Sequence, residues 1–403
     1  MNKTLAIIVA GLGLSLGGFF GAYFAKPKEP NILKPNPSAP KPKRYIVFNK
    51  KRFEKKPGDA KNFTMSAMPQ ILQAKSVKEL ENINGAIIET DLDLNKNSIK
   101  SDEWEIQEEY HHHILGFSCS RCETIPCPTP TPQPQPTPTP TPTPPPPVTA
   151  KSWGIKRVHA LEAQAQGKVD TSKVKVCVVD TGADLQHPQR GTIVGTKDFT
   201  GKGAAQDGNG HGTHTAGTIA GLGGVGVARS ALYICKGLDD GGSGSSSALA
   251  QCLNWCGTQG AQIVSNSWGS SQSDPLINQA INQLTAKGIY VIVAAGNDGR
   301  DVNWPAKLAG SNPLVFAIAA SDQGDRITSF SSRGPEIRFI SPGASITSNW
   351  PGGGTKVLDG TSMATPHVAG ICAFGIAKGI KPCVKASGAV GGYPMADALE
   401  TVR

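Results

Sequence analysis

Apolar positions in this chain alternate between short β-branched runs and helix-spaced stretches, and that alternation is concentrated from about residue 151 onward. Val174 to Asp180 is an apolar run that stops at a carboxylate followed by Gly182, as a buried parallel strand stops at its C-terminal edge. Behind the glycine-rich segment Asp207 to Gly212, His211 to Ala220 reads as a helix. A later helix opens at Gly360-Thr361-Ser362-Met363-Ala364-Thr365-Pro366-His367, with Pro366 expected in its first turn. Short strands alternating with helices predict an α/β, three-layer sandwich with a mostly parallel sheet over residues 151–403.

Upstream, the pattern breaks into four shorter segments. Residues 1–25 carry an apolar stretch from Leu5 to Phe24 behind Lys3, an export segment that is either a signal peptide or an uncleaved membrane anchor. Residues 26–43 form a Pro/Lys-rich spacer. Residues 44–117 read as a small α+β domain, with a strand at Tyr45 to Phe48, a helix over Val77 to Ile83, a strand at Ala86 to Ile88 and a last strand over Trp104 to Tyr110. Residues 118–150 hold Cys119, Cys122 and Cys127 and a Pro/Thr tract from Pro126 to Pro147, which lacks amide donors and is expected to be extended.

Three short motifs carry candidate chemistry. A serine at the start of a helix attacks beside unpaired backbone amides that would stabilise an oxyanion, which makes Ser362 a candidate nucleophile. Asp180 lies at a strand edge, where catalytic groups collect, and His211 is a base suited to neutral pH. Each alone has a plain structural reading, as a cap, a turn residue or a satisfied histidine, and that is the reading for His187, His214 and His367. Together, in the order Asp, His, Ser, they are far more specific.

The motifs VVDTG, DGNGHGTHTAGTIAG, SNSWGS, VAAGND and GTSMATPHVAG, running from Ser152 to the C-terminus, resemble those of the subtilase (subtilisin-like, peptidase S8) serine proteases, and within them the proteinase K-like members. The resemblance implies a nucleophile at Ser362, a base at His211, an orienting acid at Asp180 and an oxyanion-stabilising amide at Asn297. It also implies that Ser267, Trp268 and Gly269 pair with extended substrate backbone, while Ala294, Ala295 and Gly296 form the other wall of the pocket. Tyr45-Ile46-Val47 and Glu108-Glu109-Tyr110-His111 resemble the I9-type inhibitory propeptide of the same proteases, an intramolecular inhibitor whose tail would lie in the active site. Cleavage would fall between about His113 and Lys151.

No cofactor is implied for catalysis. Structural calcium is not carried over, because Arg338 stands where relatives hold a cation-binding aspartate and Gly221 to Val227 lacks a longer calcium-binding insertion. Asp298, Asp301, Asp322 and Asp325 read as solvated loop acids, and Asp298 could favour a basic residue near the cut.

The formal charge of +9 is spread thinly without a basic run, which excludes a nucleic-acid role and suits solubility or an anionic envelope surface. Of the nine cysteines, Cys372 and Cys383 have spacing suited to a disulfide. Cys177 is expected as a free thiol inside a strand, and Cys252 and Cys256 as poorly placed to bond each other. Disulfides are favoured over zinc for the three cysteines near His111, His112 and His113. The whole predicts a monomeric, secreted or envelope-tethered endopeptidase acting on protein or peptide substrates and made as a self-processing zymogen. The alternative is a non-catalytic surface protein on the same scaffold, against which the intact Asp180, His211, Asn297 and Ser362 argue.

Overall fold

The computed structural model describes residues 43–49, 74–80, 83, 85–90, 92–94, 104–115, 151–167 and 169–403. The apolar segment 5–24, most of the Pro/Lys spacer, the cluster of Cys119, Cys122 and Cys127, and the Pro/Thr tract lie outside the described residues. Among the described residues no helix is long and apolar enough to cross a membrane.

The small domain contributes strands β1 (Lys43–Asn49), β2 (Ser76–Glu79), β3 (Gly85–Thr90) and β4 (Trp104–Glu108), which form an antiparallel sheet in the order β2-β3-β1-β4. Alternation along β1 sends Tyr45 and Val47 to one face with Ile88 and Ile106. Ile46 and Phe48 face the opposite way and join Leu80, Ile83 and Ile87 in the core of the larger domain. The helix expected over Val77 to Ile83 begins instead as β2: Val77 pairs with Ile88, and Leu80 N–H donates to Gly85 O at 3.0 Å. The three-residue spacing of Val77, Leu80 and Ile83 belongs to an edge strand and the buried Leu80 and Ile83 that follow its paired residues. A further strand, β5 (His111–Ile114), leaves this sheet altogether.

The larger domain begins with helices α1 (Trp153–Arg157) and α2 (Ala160–Ala165). It continues through β6 (Lys175–Asp180), β7 (Ile193–Asp198), α3 (His211–Ala220), β8 (Ala231–Lys236), β9 (Ser243–Ser245), α4 (Ser246–Thr258), β10 (Ile263–Asn266), β11 (Trp268–Gly269), α5 (Pro275–Ala286), β12 (Tyr290–Ala294), β13 (Val315–Ser321) and β14 (Ile337–Pro342). The hairpin β15 (Ile346–Trp350) and β16 (Gly354–Leu358) precedes the long helix α6 (Thr361–Lys378), and β17 (Lys385–Val390), β18 (Tyr393–Asp397) and α7 (Ala398–Val402) close the chain.

Nine strands form one sheet in the order β17-β18-β14-β13-β12-β10-β6-β8-β7, with every neighbouring pair parallel except β17 with β18. Both faces are covered, as a parallel sheet requires. In β6, Cys177 and Val179 pack with α4 and α5 on one face, while Val176 and Val178 pack with α3 and α6 on the other. The three-layer α/β sandwich expected from the sequence is therefore the observed architecture.

Among the described residues three disulfides fasten it: Cys177 to Cys256, Cys235 to Cys252, and Cys372 to Cys383. Cys177 is thus not a free thiol. Its position in the strand directs it at α4, where Cys256 waits one turn from Cys252, and that helix is joined to β6 and β8 at two successive turns.

Candidate active site

Asp180 ends β6 and His211 begins α3, and their side chains meet across the C-terminal edge of the sheet. His211 Nδ1 lies 2.8 Å from Asp180 Oδ1, and the two residues are 0% and 1% exposed. A carboxylate can only accept, so Nδ1 carries the proton and Nε2 presents a lone pair. Asp180 is fixed in turn by Thr181 N–H at 2.7 Å and the Thr215 hydroxyl at 3.2 Å. His211 Nε2 has no hydrogen-bond partner among the described residues.

The entry to α3 is held by groups that the motif reading overlooked. Asp207 accepts hydrogen bonds from the backbone N–H groups of Asn209, Gly210 and Thr213 and from the hydroxyls of Thr181 and Thr213. The Thr181 hydroxyl also accepts from Gly212 N–H at 2.9 Å, and a Cβ on Gly212 would lie 2.1 Å from Gly182 O. That approach seats the first turn of α3 directly on the end of β6. An acidic residue shortly before a helix start was the available signal, since it reads as a cap.

Ser362 is the second residue of α6, which packs against α3. Its hydroxyl donates to Ser267 O at 2.8 Å, not to His211, while the Ser267 hydroxyl donates to Ser362 O at 2.9 Å. The second bond has a cause in the sequence. Pro366 falls in the second turn of α6, not the first as expected, and its missing N–H leaves the Ser362 carbonyl without its intrahelical donor. Ser267 supplies the replacement. Asn297 follows β12, and its Oδ1 accepts from Thr361 N–H at 2.9 Å and from the Thr361 hydroxyl at 2.8 Å. This fixes the amide so that Nδ2 points outward as a donor.

The cleft beside these groups is filled by β5. It runs antiparallel between β9 and β11, pairing His111 with Ser245, His112 with Gly244 and His113 with Ser243 on one side, and His113 with Gly269 and Ile114 with Trp268 on the other. Leu115 N–H continues the ladder to Ser267 O at 3.2 Å, and Leu115 O accepts a hydrogen bond from Asn297 Nδ2. The Leu115 side chain reaches Gly269, where an added Cβ would come within 3.1 Å of it and 2.8 Å of Trp304 O. Ser267, Gly269 and Asn297 therefore touch the bound strand. Trp268 meets it through its backbone and through its indole, which is wholly buried and donates to Val179 O at 3.0 Å. The indole is packed into the core beneath the strand and at the same time meets the His112 ring edge-on. Ala294 and Ala295 are likewise buried, and Ala295 N–H is bonded to Ile318 O at 3.0 Å.

His187, His214 and His367 are structural in their contacts. His214 Nε2 lies 3.0 Å from Ile346 O, His187 Nε2 2.9 Å from Gly354 O, and His367 Nδ1 2.8 Å from Met363 O. Burial pushes His214 down to about 3, with the Ile346 carbonyl opposing and repulsion from His211 assisting, and pushes His367 down to about 4. The unfolded chain takes up protons on these rings near pH 6.5, while the folded chain does not until well below that. Their contribution is therefore fully present above about pH 6.5 and is lost as pH falls toward 4. We expect unfolding free energy to drop by on the order of several kcal/mol across that window, as read from denaturant midpoints. A flat profile between pH 6.5 and 4 would refute the neutral assignment.

No group of three or more His, Cys, Asp and Glu residues suited to a metal ion occurs among the described residues. Arg338 Nη2 points to Ala309 O at 3.4 Å. Asp298 accepts from the Ser332 hydroxyl at 2.7 Å, Asp322 pairs with Arg326 four residues on, and Asp325 pairs with Arg157 of α1.

A parallel α/β frame with an Asp–His pair at its sheet edge and a serine opening the adjoining helix defines the class of the molecule as a subtilisin-like serine peptidase fold. The chain belongs to the subtilase family: residues 171–379 match the model of that family, described as Peptidase S8, subtilase family. It is similar to M-protease from Shouchella clausii (strain KSM-K16), 43% identical over 228 residues that cover 55% of this chain and 58% of that protein. Subtilisin Savinase from Lederbergia lenta is 43% identical over 228 residues, covering 55% of this chain and 82% of that protein. Subtilisin DY from Bacillus licheniformis is 37% identical over 236 residues, covering 56% and 84% respectively. The chain thus spans less than two thirds of M-protease but most of the other two.

Proposed function

We propose that this chain is the precursor of a secreted or envelope-tethered serine endopeptidase that cuts itself after Leu115. The observation that carries the reading is the position of Leu115, whose carbonyl accepts from Asn297 at the end of a strand laid antiparallel in the cleft. Ser362 Oγ turns from Ser267 O toward the carbonyl carbon of Leu115 and attacks it. His211 Nε2, free to accept, takes the hydroxyl proton, and Asp180 stabilises the imidazolium through Nδ1. Negative charge developing on Leu115 O is met by Asn297 Nδ2. The amine of Gly116 leaves with the proton from His211, and water then hydrolyses the ester between Leu115 and Ser362 by the same base.

Residues 44–117 would act as the inhibitory propeptide, retained after cleavage because β5 and the face of β1 to β4 stay docked. Residues 151–403 would form the monomeric peptidase, 118–150 the spacer, and 1–25 the export segment or membrane anchor followed by the spacer of 26–43. Main-chain pairing through Ser267 and Gly269 supports a broad range of protein and peptide substrates.

The test is to express the full chain, treat it with a fluorophosphonate that esterifies activated serines, and map both the label and the chain ends. Label on Ser362, a fragment ending at Leu115 and a new N-terminus at Gly116 are expected. Labelling elsewhere, or a first cut at a different bond, would count against the reading.

A further inference from the structure

The side chain most deeply taken up from the bound strand is not apolar. His112, three residues before Leu115, is 1% exposed, and its Nε2 lies 2.9 Å from Asp274 Oδ2, itself on a residue only 2% exposed. The ring also meets Trp268 edge-on, with centroids 5.6 Å apart. Asp274 belongs to the peptidase domain and caps α5, accepting on Oδ1 from Leu276 N–H at 3.0 Å, from Ile277 N–H at 3.2 Å and from Gln107 Nε2 at 3.0 Å. Its Oδ2 accepts from the Ser246 hydroxyl and faces the imidazole.

Three of these donors, Leu276 N–H, Ile277 N–H and the Ser246 hydroxyl, belong to the peptidase domain and Gln107 to β4, so the carboxylate does not need a histidine to cap a helix. Departure of β5 leaves Oδ2 with the Ser246 hydroxyl alone and opens an imidazole-sized space whose wall is the Trp268 indole and whose end is a negative charge. Burial tends to raise the Asp274 carboxyl, yet the bonds from His112, Ser246 and Gln107 outweigh it and hold the group below its ordinary value. The carboxylate is therefore ionised when the strand is bound, and a ring N–H directed at it gains a charge-assisted bond out of water.

We infer that Asp274 is a specificity-determining residue, selecting substrates with histidine at the fourth position on the acyl side of the cut. The selection rests on the peptidase reading above and deepens it. An alanine there leaves the pocket unfilled and Oδ2 short of a donor, while a large apolar ring buries against a charge. A site built around a buried polar group rejects the ligand that lacks the matching group more strongly than an apolar pocket rejects a shorter one.

The experiment uses the full-length chain, expressed and left to process, with reporter peptides of the form X-His-Ile-Leu in which X is His, Ala or Phe. kcat/KM is expected to be roughly 10- to 100-fold higher for His than for Ala or Phe. In Asp274→Asn, which keeps a good helix cap, the His-to-Ala ratio should fall to about one. The wild-type series stands by itself should the variant fail to fold. A wild-type preference for His below about tenfold, or a preference for Phe, overturns the inference while leaving the peptidase reading intact. Absence of hydrolysis for all three peptides overturns both.

Discussion

Ser362→Ala is expected to leave the precursor as one uncut chain and to lower turnover of peptide substrates by about 10⁶; that magnitude is the one measured on subtilisins themselves, not one derived from this geometry. What the structure adds is the reason the fold should survive. The Ser362 hydroxyl donates only to Ser267 O, and that carbonyl also accepts Leu115 N–H, so its loss strands no buried acceptor while the strand is bound. The Ser362 carbonyl keeps its bond from the Ser267 hydroxyl. A companion variant, Asp180→Asn, should lower kcat by about 10⁴, because the amide can donate to Nδ1 and so favour the wrong tautomer of His211. Gel mobility, the sequence of the new N-terminus and steady-state kinetics check both. Self-cleavage of Ser362→Ala at the wild-type rate would remove Ser362 from the chemistry, whereas a lowered melting temperature in step with lost activity would mean that the substitution had damaged the fold.

The candidate site was legible wherever its information is local. VVDTG holds both a strand and the carboxylate at its end, and DGNGHG holds both a helix entry and the histidine that begins it, so Asp180 and His211 could be named from adjacent residues. The α/β sandwich was legible for the same reason, since each strand and helix announces itself within its own window. Contacts between distant segments were not. Nothing within Cys177 to Asp180 says which face of β6 looks at α4, and nothing around His112 foretells Asp274, 162 residues away. Trp268 sits in a motif that touches substrate backbone, and its indole lies beneath the bound strand against the His112 ring, a contact that the motif alone does not announce. Val77 to Ile83 differs: apolar spacing of three fits a helix, yet an edge strand carries its start when the partner strand β3 supplies the hydrogen bonds.

The misjudged cysteine leads to the second large effect. The bond between Cys177 and Cys256 closes a sequence separation of 79 and is wholly buried between β6 and α4. Chain-entropy arguments assign a cross-link over a loop of that length on the order of 4 kcal/mol, chiefly by restricting the unfolded chain. The double variant Cys177→Ala with Cys256→Ala is therefore expected to lose about 4 kcal/mol of unfolding free energy, a fall of roughly 10 °C in melting temperature for a domain of this size. Cys177 lies three residues before Asp180, so one could suppose that the bridge also aims the carboxylate. The neighbouring strands argue otherwise: β6 is paired along its length with β8 and over four residues with β10, and Asp180 is further fixed by Thr181 and Thr215. Below its melting transition the double variant should retain kcat within about threefold. Differential scanning calorimetry with and without reductant separates the two roles, since reductant should lower the wild-type transition more than that of the double variant. A stability loss under about 1 kcal/mol would mean that the unfolded chain gains little freedom from opening this loop, and a large fall in kcat at full folding would mean that the bridge positions Asp180 after all.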